Sequence, residues 1–219
     1  EPQFGAIHAV NAHWAVANEP ATVVMPTGTG KTETMLSILV LNQCRRVLIV
    51  VPTDALRTQI ANKFLTLGVL SELGVIAKSA LFPIVGVLRH KPQTEQDVER
   101  FFGKCNVVVT TSSIAGQSEK SIQNRISQMC SDLFIDEAHH VSAKTWKTFK
   151  NHFEGRRILQ FTASPFREDD KPVEGKMIFK YPLPRAQEKG YFTRINFKSV
   201  RAFAKKQRVG ENPWGEGAT

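Results

Sequence analysis

Apolar positions in this chain fall into two alternating patterns. Short, nearly unbroken apolar runs occur at Thr22-Val23-Val24-Met25 and at residues 46–51, 106–110, 132–136 and 157–162. Between them lie stretches of helical spacing at residues 31–41, 54–67, 95–102, 122–129 and 143–153; in the first, Met35, Leu36, Leu39 and Val40 share a face. Runs without polar alternation are strands buried on both faces, and the interleaved helices supply the cover. The pattern therefore predicts an α/β fold, a mostly parallel sheet with helices on both faces. Right-handed crossovers then collect the C-terminal ends of the strands on one edge, where ligands bind. Pro52 closes the run at 46–51, and Thr53 or Asp54 caps the helix that follows. Residues 83–88 are a further apolar run. After Thr162, residues 164–173 read as a Pro-rich, charged loop, 177–181 and 195–204 as strand-like, 183–190 as a helix, and 210–219 as a frayed tail.

The chain has 219 residues, 42% hydrophobic and 22% charged. That is ordinary for a globular protein and enough for one domain with an extension. No apolar run approaches the roughly 20 residues of a membrane span, and the start at Glu1-Pro2-Gln3-Phe4 has no basic, apolar leader and suggests a fragment. Cys44, Cys105 and Cys130 are widely spaced, which points away from zinc and disulfides and toward reduced thiols in a cytosolic core. The net charge of +9 suits a phosphate backbone as partner without requiring one.

Candidate chemistry changes the picture more than composition does. Met25-Pro26-Thr27-Gly28-Thr29-Gly30-Lys31-Thr32 stands between a strand and a helix. Its glycines let backbone N–H groups turn toward a β-phosphate, and the helix that follows adds its N-terminal dipole. Lys31 would reach the β- and γ-phosphates and the Thr32 hydroxyl would ligate Mg²⁺. Met25 replaces the first glycine of the strict pattern; the GxGKT core, from Gly28 on, is intact. Asp136-Glu137-Ala138-His139 follows the apolar strand Leu133-Phe134-Ile135. There Asp136 is placed to hold Mg²⁺ and Glu137 to orient and deprotonate an attacking water. His140 reads as a surface or packing residue, and Trp14 and Trp146 as packed against the sheet.

In order along the chain, these blocks resemble motifs I and II of the superfamily 2 DEAD/DEAH-box helicases. The branch they look most like is that of the type III restriction enzyme helicase subunits. Val51-Pro52-Thr53-Asp54-Ala55-Leu56-Arg57-Thr58-Gln59 resembles motif Ia, Val109-Thr110-Thr111-Ser112 motif Ib, and Phe161-Thr162-Ala163-Ser164-Pro165-Phe166-Arg167 motif III. The resemblance implies a RecA-like P-loop NTPase domain over residues 1–182, with residues 183–219 leading toward a second RecA-like domain that supplies an arginine finger. It implies Mg-ATP bound by Gln3, Pro26, Thr27, Gly28, Thr29, Gly30, Lys31 and Thr32, with Gln3 reading adenine. His139, Thr162 and Ser164 would couple the γ-phosphate to domain movement, and Thr53, Arg57, Thr110 and Thr111 would contact nucleic-acid phosphates. DNA is favoured over RNA, in a bacterial cytosol. A helicase, a duplex translocase of a restriction or defence system, and an ATP-gated scaffold all remain open; a metabolic kinase would not explain motifs Ia, Ib and III.

Overall fold

The computed structural model describes residues 1–77, 79–140, 143–167 and 170–191, the side chains of 140–146 excepted. The readings of 195–204, 210–219, His140 and Trp146 lie outside the described residues. The elements run α1 (Pro2–Val16), β1 (Ala21–Val24), α2 (Lys31–Leu41), β2 (Val47–Val51), α3 (Asp54–Thr66), α4 (Gly68–Glu72), β3 (Val85–Val87), α5 (Glu95–Phe102) and β4 (Val107–Thr111). They continue with α6 (Ser112–Gly116), α7 (Lys120–Met129), β5 (Asp132–Ile135), a 3₁₀ turn (Ala138–His140), α8 (Ala143–Asn151), β6 (Arg157–Thr162), β7 (Lys176–Lys180) and α9 (Leu183–Glu188).

The strands form one sheet in the order β3-β4-β2-β5-β6-β1-β7, and its paired strands are all parallel. Period-2 alternation divides the strand residues between two cores. Val47, Ile49, Val51, Val107, Val109, Phe134, Leu159 and Phe161 face one core together with α1, α2 and α3. Leu48, Val50, Val108, Leu133, Ile135 and Ile158 face the other, with residues of α5, α6, α7 and α8. Every residue of β2, β4 and β5 is buried, because a strand covered on both faces has no solvent side. Trp14 stacks on Phe134 at 6.5 Å between ring centroids, which ties α1 to the sheet.

Three helices were not legible in the apolar pattern: α1, α4 and α6. The first covers β1 and β7, and its approach to β7 is close, since a Cβ at Gly5 would stand 2.6 Å from the Phe179 ring.

Candidate functional site

Five chain segments meet where strands β1, β2, β4, β5 and β6 end, as a parallel sheet requires. After β1 the backbone does not turn at once. Met25 continues the strand, its N–H donating to Thr162 O at 2.9 Å, and its side chain is fully buried among α1, α2 and sheet residues. A core side chain therefore stands where the strict motif has glycine. The turn itself belongs to Gly28 and Gly30, both at positive φ, 83° and 87°. Thr29 between them is buried, its hydroxyl donating to Pro26 O at 2.6 Å, which closes the loop on itself. A Cβ on Gly28 would meet nothing within 4 Å, whereas one on Gly30 would collide with the Gln3 amide. The α1 helix thus brings Gln3 directly against the glycine loop.

Lys31 opens α2 and is 8% exposed. Its Nζ donates to Glu137 Oε1 at 2.6 Å. Asp136 follows β5, 5% exposed, and its Oδ1 accepts the Glu137 N–H at 3.1 Å. Burial, and then the Glu137 charge, push the Asp136 carboxyl up to about 6, against the pull of Lys31. Glu137 has φ 51°, a conformation that costs a non-glycine residue of order 1 kcal/mol. It places one carboxylate oxygen on Lys31. The other, Oε2, is buried, takes no hydrogen bond, and lies 3.4 Å from His139 Nδ1.

His139 Nδ1 is also 2.9 Å from Thr162 Oγ1. Because the Thr162 hydroxyl donates to Ser164 O at 2.7 Å, the bond from His139 is assigned with Nδ1–H as donor. A continuous path of contacts runs Lys31–Glu137–His139–Thr162–Ser164. It crosses from the glycine loop to the end of β6.

These residues open onto a cleft of about 810 Å³ lined by Gln3, Thr27, Gly28, Gly30, Lys31, Thr32, Asp136 and Glu137, and also by Phe4, Glu33, Lys63, Val69, Leu70 and Leu73. The last six were not singled out from the sequence. For α4 the only signal was the spacing Val69-Leu70 to Leu73. A second cleft, about 440 Å³, joins Thr27, Glu137, His139 and Ala163 to Pro52 and Thr53. The residues of the first cleft fit Mg-ATP in donor type: an open glycine loop, a lysine, a hydroxyl, a buried carboxylate and an orphaned carboxylate oxygen.

The four residues expected to face nucleic acid do not behave alike. Thr53 is exposed and caps α3, accepting the Leu56 N–H. Arg57, Thr110 and Thr111 are buried, with their side chains turned to partners within the chain. Arg57 pairs with Asp54 at 2.9 Å and, with Thr110, reaches the Leu88 carbonyl, at 3.5 and 3.3 Å. The reason is satisfaction of a buried carbonyl beyond the end of β3. Thr111 Oγ1 bonds Ser113 Oγ at 3.0 Å.

A family model described as type III restriction enzyme, res subunit, matches residues 1–167. The chain belongs to this family. A search of curated proteins finds no match. Among solved structures, a nuclease-deletion mutant of the type ISP restriction-modification enzyme LlaGI, in complex with a DNA substrate mimic, aligns at TM-score 0.54 and 16% identity, covering 87% of this chain and 20% of that one. The type ISP enzyme LlaBIII bound to DNA aligns at TM-score 0.53 and 19% identity, over 86% and 15%. The UvsW helicase from bacteriophage T4 aligns at TM-score 0.52 and 18% identity, over 75% and 53%. At these identities the likeness establishes the RecA-like helicase-domain fold. The res-subunit-like chain spans only 20%, 15% and 53% of the length of these structures.

Proposed function

We propose that this chain is the first RecA-like half of an ATP-dependent motor acting on DNA. The observation that carries the reading is the path Lys31–Glu137–His139–Thr162–Ser164, which leads from a glycine loop to a second cleft at Thr53. In this reading the loop Pro26 to Gly30 and Lys31 hold the triphosphate, and Gln3 reads the adenine edge. Thr32 and Asp136 would hold Mg²⁺, which would supply positive charge against the phosphates. Glu137 Oε2, without a hydrogen bond of its own, orients the attacking water and takes its proton. His139, Thr162 and Ser164 report the state of that carboxylate to the end of β6, and Thr53 stands nearest the nucleic acid.

In this reading residues 1–182 are the nucleotide-binding unit and residues 183–219 lead to the second domain; Arg185 of α9 and Lys189 just after it stand 3.7 and 3.9 Å from Glu1. Membership of the res-subunit family favours a second version of the motor, a duplex translocase of a restriction system that does not separate strands. Either version would work in the cytosol. Lys31→Ala in the longer parent protein is expected to abolish DNA-stimulated ATPase; retained stimulation would refute the motor. Displacement of a triplex-forming strand without duplex unwinding by the unaltered parent would select the translocase.

A further inference from the structure

The sheet ends on one side at β3 and on the other at β7, and the two edges are built differently. β7 begins and ends on exposed lysines, Lys176 and Lys180, charges that keep a stray strand from pairing. The β3 edge has no such guard. Leu81-Phe82-Pro83-Ile84-Val85-Gly86-Val87-Leu88 holds no charge, and Leu81, Phe82 and Ile84 are 96%, 50% and 61% exposed. Pairing with β4 reaches beyond β3 itself, because the Asn106 N–H donates to Ile84 O at 2.9 Å and the Leu88 N–H to Val109 O at 3.0 Å. Backbone groups of successive strand residues point alternately to the two sides. With Ile84 and Leu88 bonded to β4, Val85 and Val87 turn their N–H and C=O groups outward, where no strand meets them among the described residues.

Side chains along this edge differ by face. Val85 and Val87 are half-buried against the first core. On the opposite face a Cβ at Gly86 would stand 2.6 Å from Cys105 Sγ and 3.0 Å from the Phe101 ring, so α5 lies close. There Gly86, Phe101 and Cys105 share a groove of about 450 Å³ with Asp97, Arg100 and Lys104. Arg100 and Lys104 are exposed. Asp97 already accepts the Thr94 N–H at 3.0 Å, and Arg100 approaches it only to 4.0 Å. The groove therefore presents two cations against one engaged carboxylate.

We propose that the β3 edge takes up an extended segment of a partner protein as an added strand, with apolar side chains on the face of Val85 and Val87 and carboxylates on the face of Arg100 and Lys104. Backbone bonds to Val85 and Val87 supply affinity, and the two cations select the sign of the partner. A second copy pairing there about a twofold axis normal to the sheet would bring its own Arg100 and Lys104 to the same face, which disfavours self-pairing.

The test titrates the chain with two short peptides, one alternating valine with glutamate and one alternating valine with lysine, and follows hydrogen exchange at the Val85 and Val87 N–H groups. The glutamate peptide is expected to bind about tenfold more tightly, since each exposed charge pair is worth up to about fivefold, and to protect both amides. Val85→Pro removes one outward donor, keeps the bonds to β4 and should abolish binding. The double variant Arg100→Glu with Lys104→Glu leaves the edge intact and should reverse the preference, a result that loss of folding cannot mimic. Failure of both peptides to bind at millimolar concentration overturns the proposal, as does equal binding, or a preference for the lysine peptide, that the charge reversal does not change. Self-association of the chain that Val85→Pro abolishes would overturn it too, since the occupant would then be a second copy.

Discussion

Asp136 shows how the role proposed for a side chain and the stability of the fold can oppose each other. Its carboxyl is buried at the end of β5 beside a second carboxylate, and its value rises from 3.8 to about 6. Between those two values the folded chain keeps a proton that the unfolded chain has released. Stability therefore falls as pH rises through that window, and the deficit is complete above it. Asp136→Asn removes the buried charge and keeps an oxygen for the Glu137 N–H. It is expected to raise the melting temperature of the ligand-free chain at pH 7.5 by at least roughly 2–4 °C, the shift that about 1 kcal/mol produces in a domain of this size. The gain should shrink as pH drops below 6 and vanish near 4, while Mg²⁺-dependent ATP binding is lost at every pH. A variant no more stable than the parent at pH 7.5 would mean that Lys31 already compensates the charge. Arg57 teaches the converse lesson: a charge that reads as a surface residue is turned inward, because a buried carbonyl at Leu88 needs donors and Asp54 stands one helical turn away.

Elements with sharp chemical edges were readable, and those without were not. Residues 95–102 were read with the bounds the helix has, since Thr94 and Asp97 form a reciprocal capping box, and α2 begins directly after a glycine turn. Among the buried strands, β2 is unbroken Val, Leu and Ile, and β4 opens on three valines. By contrast, α1 buries Ala6, Val10, His13 and Trp14, a stripe in which alanine and histidine stand where leucine would have announced a helix. It also carries Gly5, a poor helix former retained where a ring approaches. Gly5→Val is expected to push α1 off Phe179 and cost about 1–3 kcal/mol, readable as a lower urea midpoint. Because Gln3 and Phe4 ride on the same turn, ATP affinity should fall as well. A destabilised chain with unchanged ATP affinity would show that α1 supports the fold without shaping the cleft. At five residues, α4 is too short for periodicity to detect. So the side of the cleft written in motifs was legible, and the side built by α1 and α4, without motifs, was not.

At the scale of the molecule, the net charge of the chain and the charge of its cleft differ in character. The chain carries a net +9, yet the described residues lining the nucleotide cleft include two lysines, three carboxylates and no arginine. Both lysines are already engaged, Lys31 by Glu137 and Lys63 by Glu33. A triphosphate entering here brings several negative charges to a surface without surplus cation. In the reading proposed above, Mg²⁺ would supply part of the balance and an arginine of a second domain closing over the cleft would supply the rest. Two consequences can be measured on one preparation. The isolated chain should hydrolyse ATP at least about 10³-fold more slowly than the two-domain parent, the range an arginine finger commands. Its affinity for DNA should fall steeply between 50 and 200 mM salt, with nucleotide affinity changing far less, because the cleft pairs its charges locally. Equal turnover by chain and parent would show that these residues form a whole site, and would remove the reason for placing the missing cation on another domain.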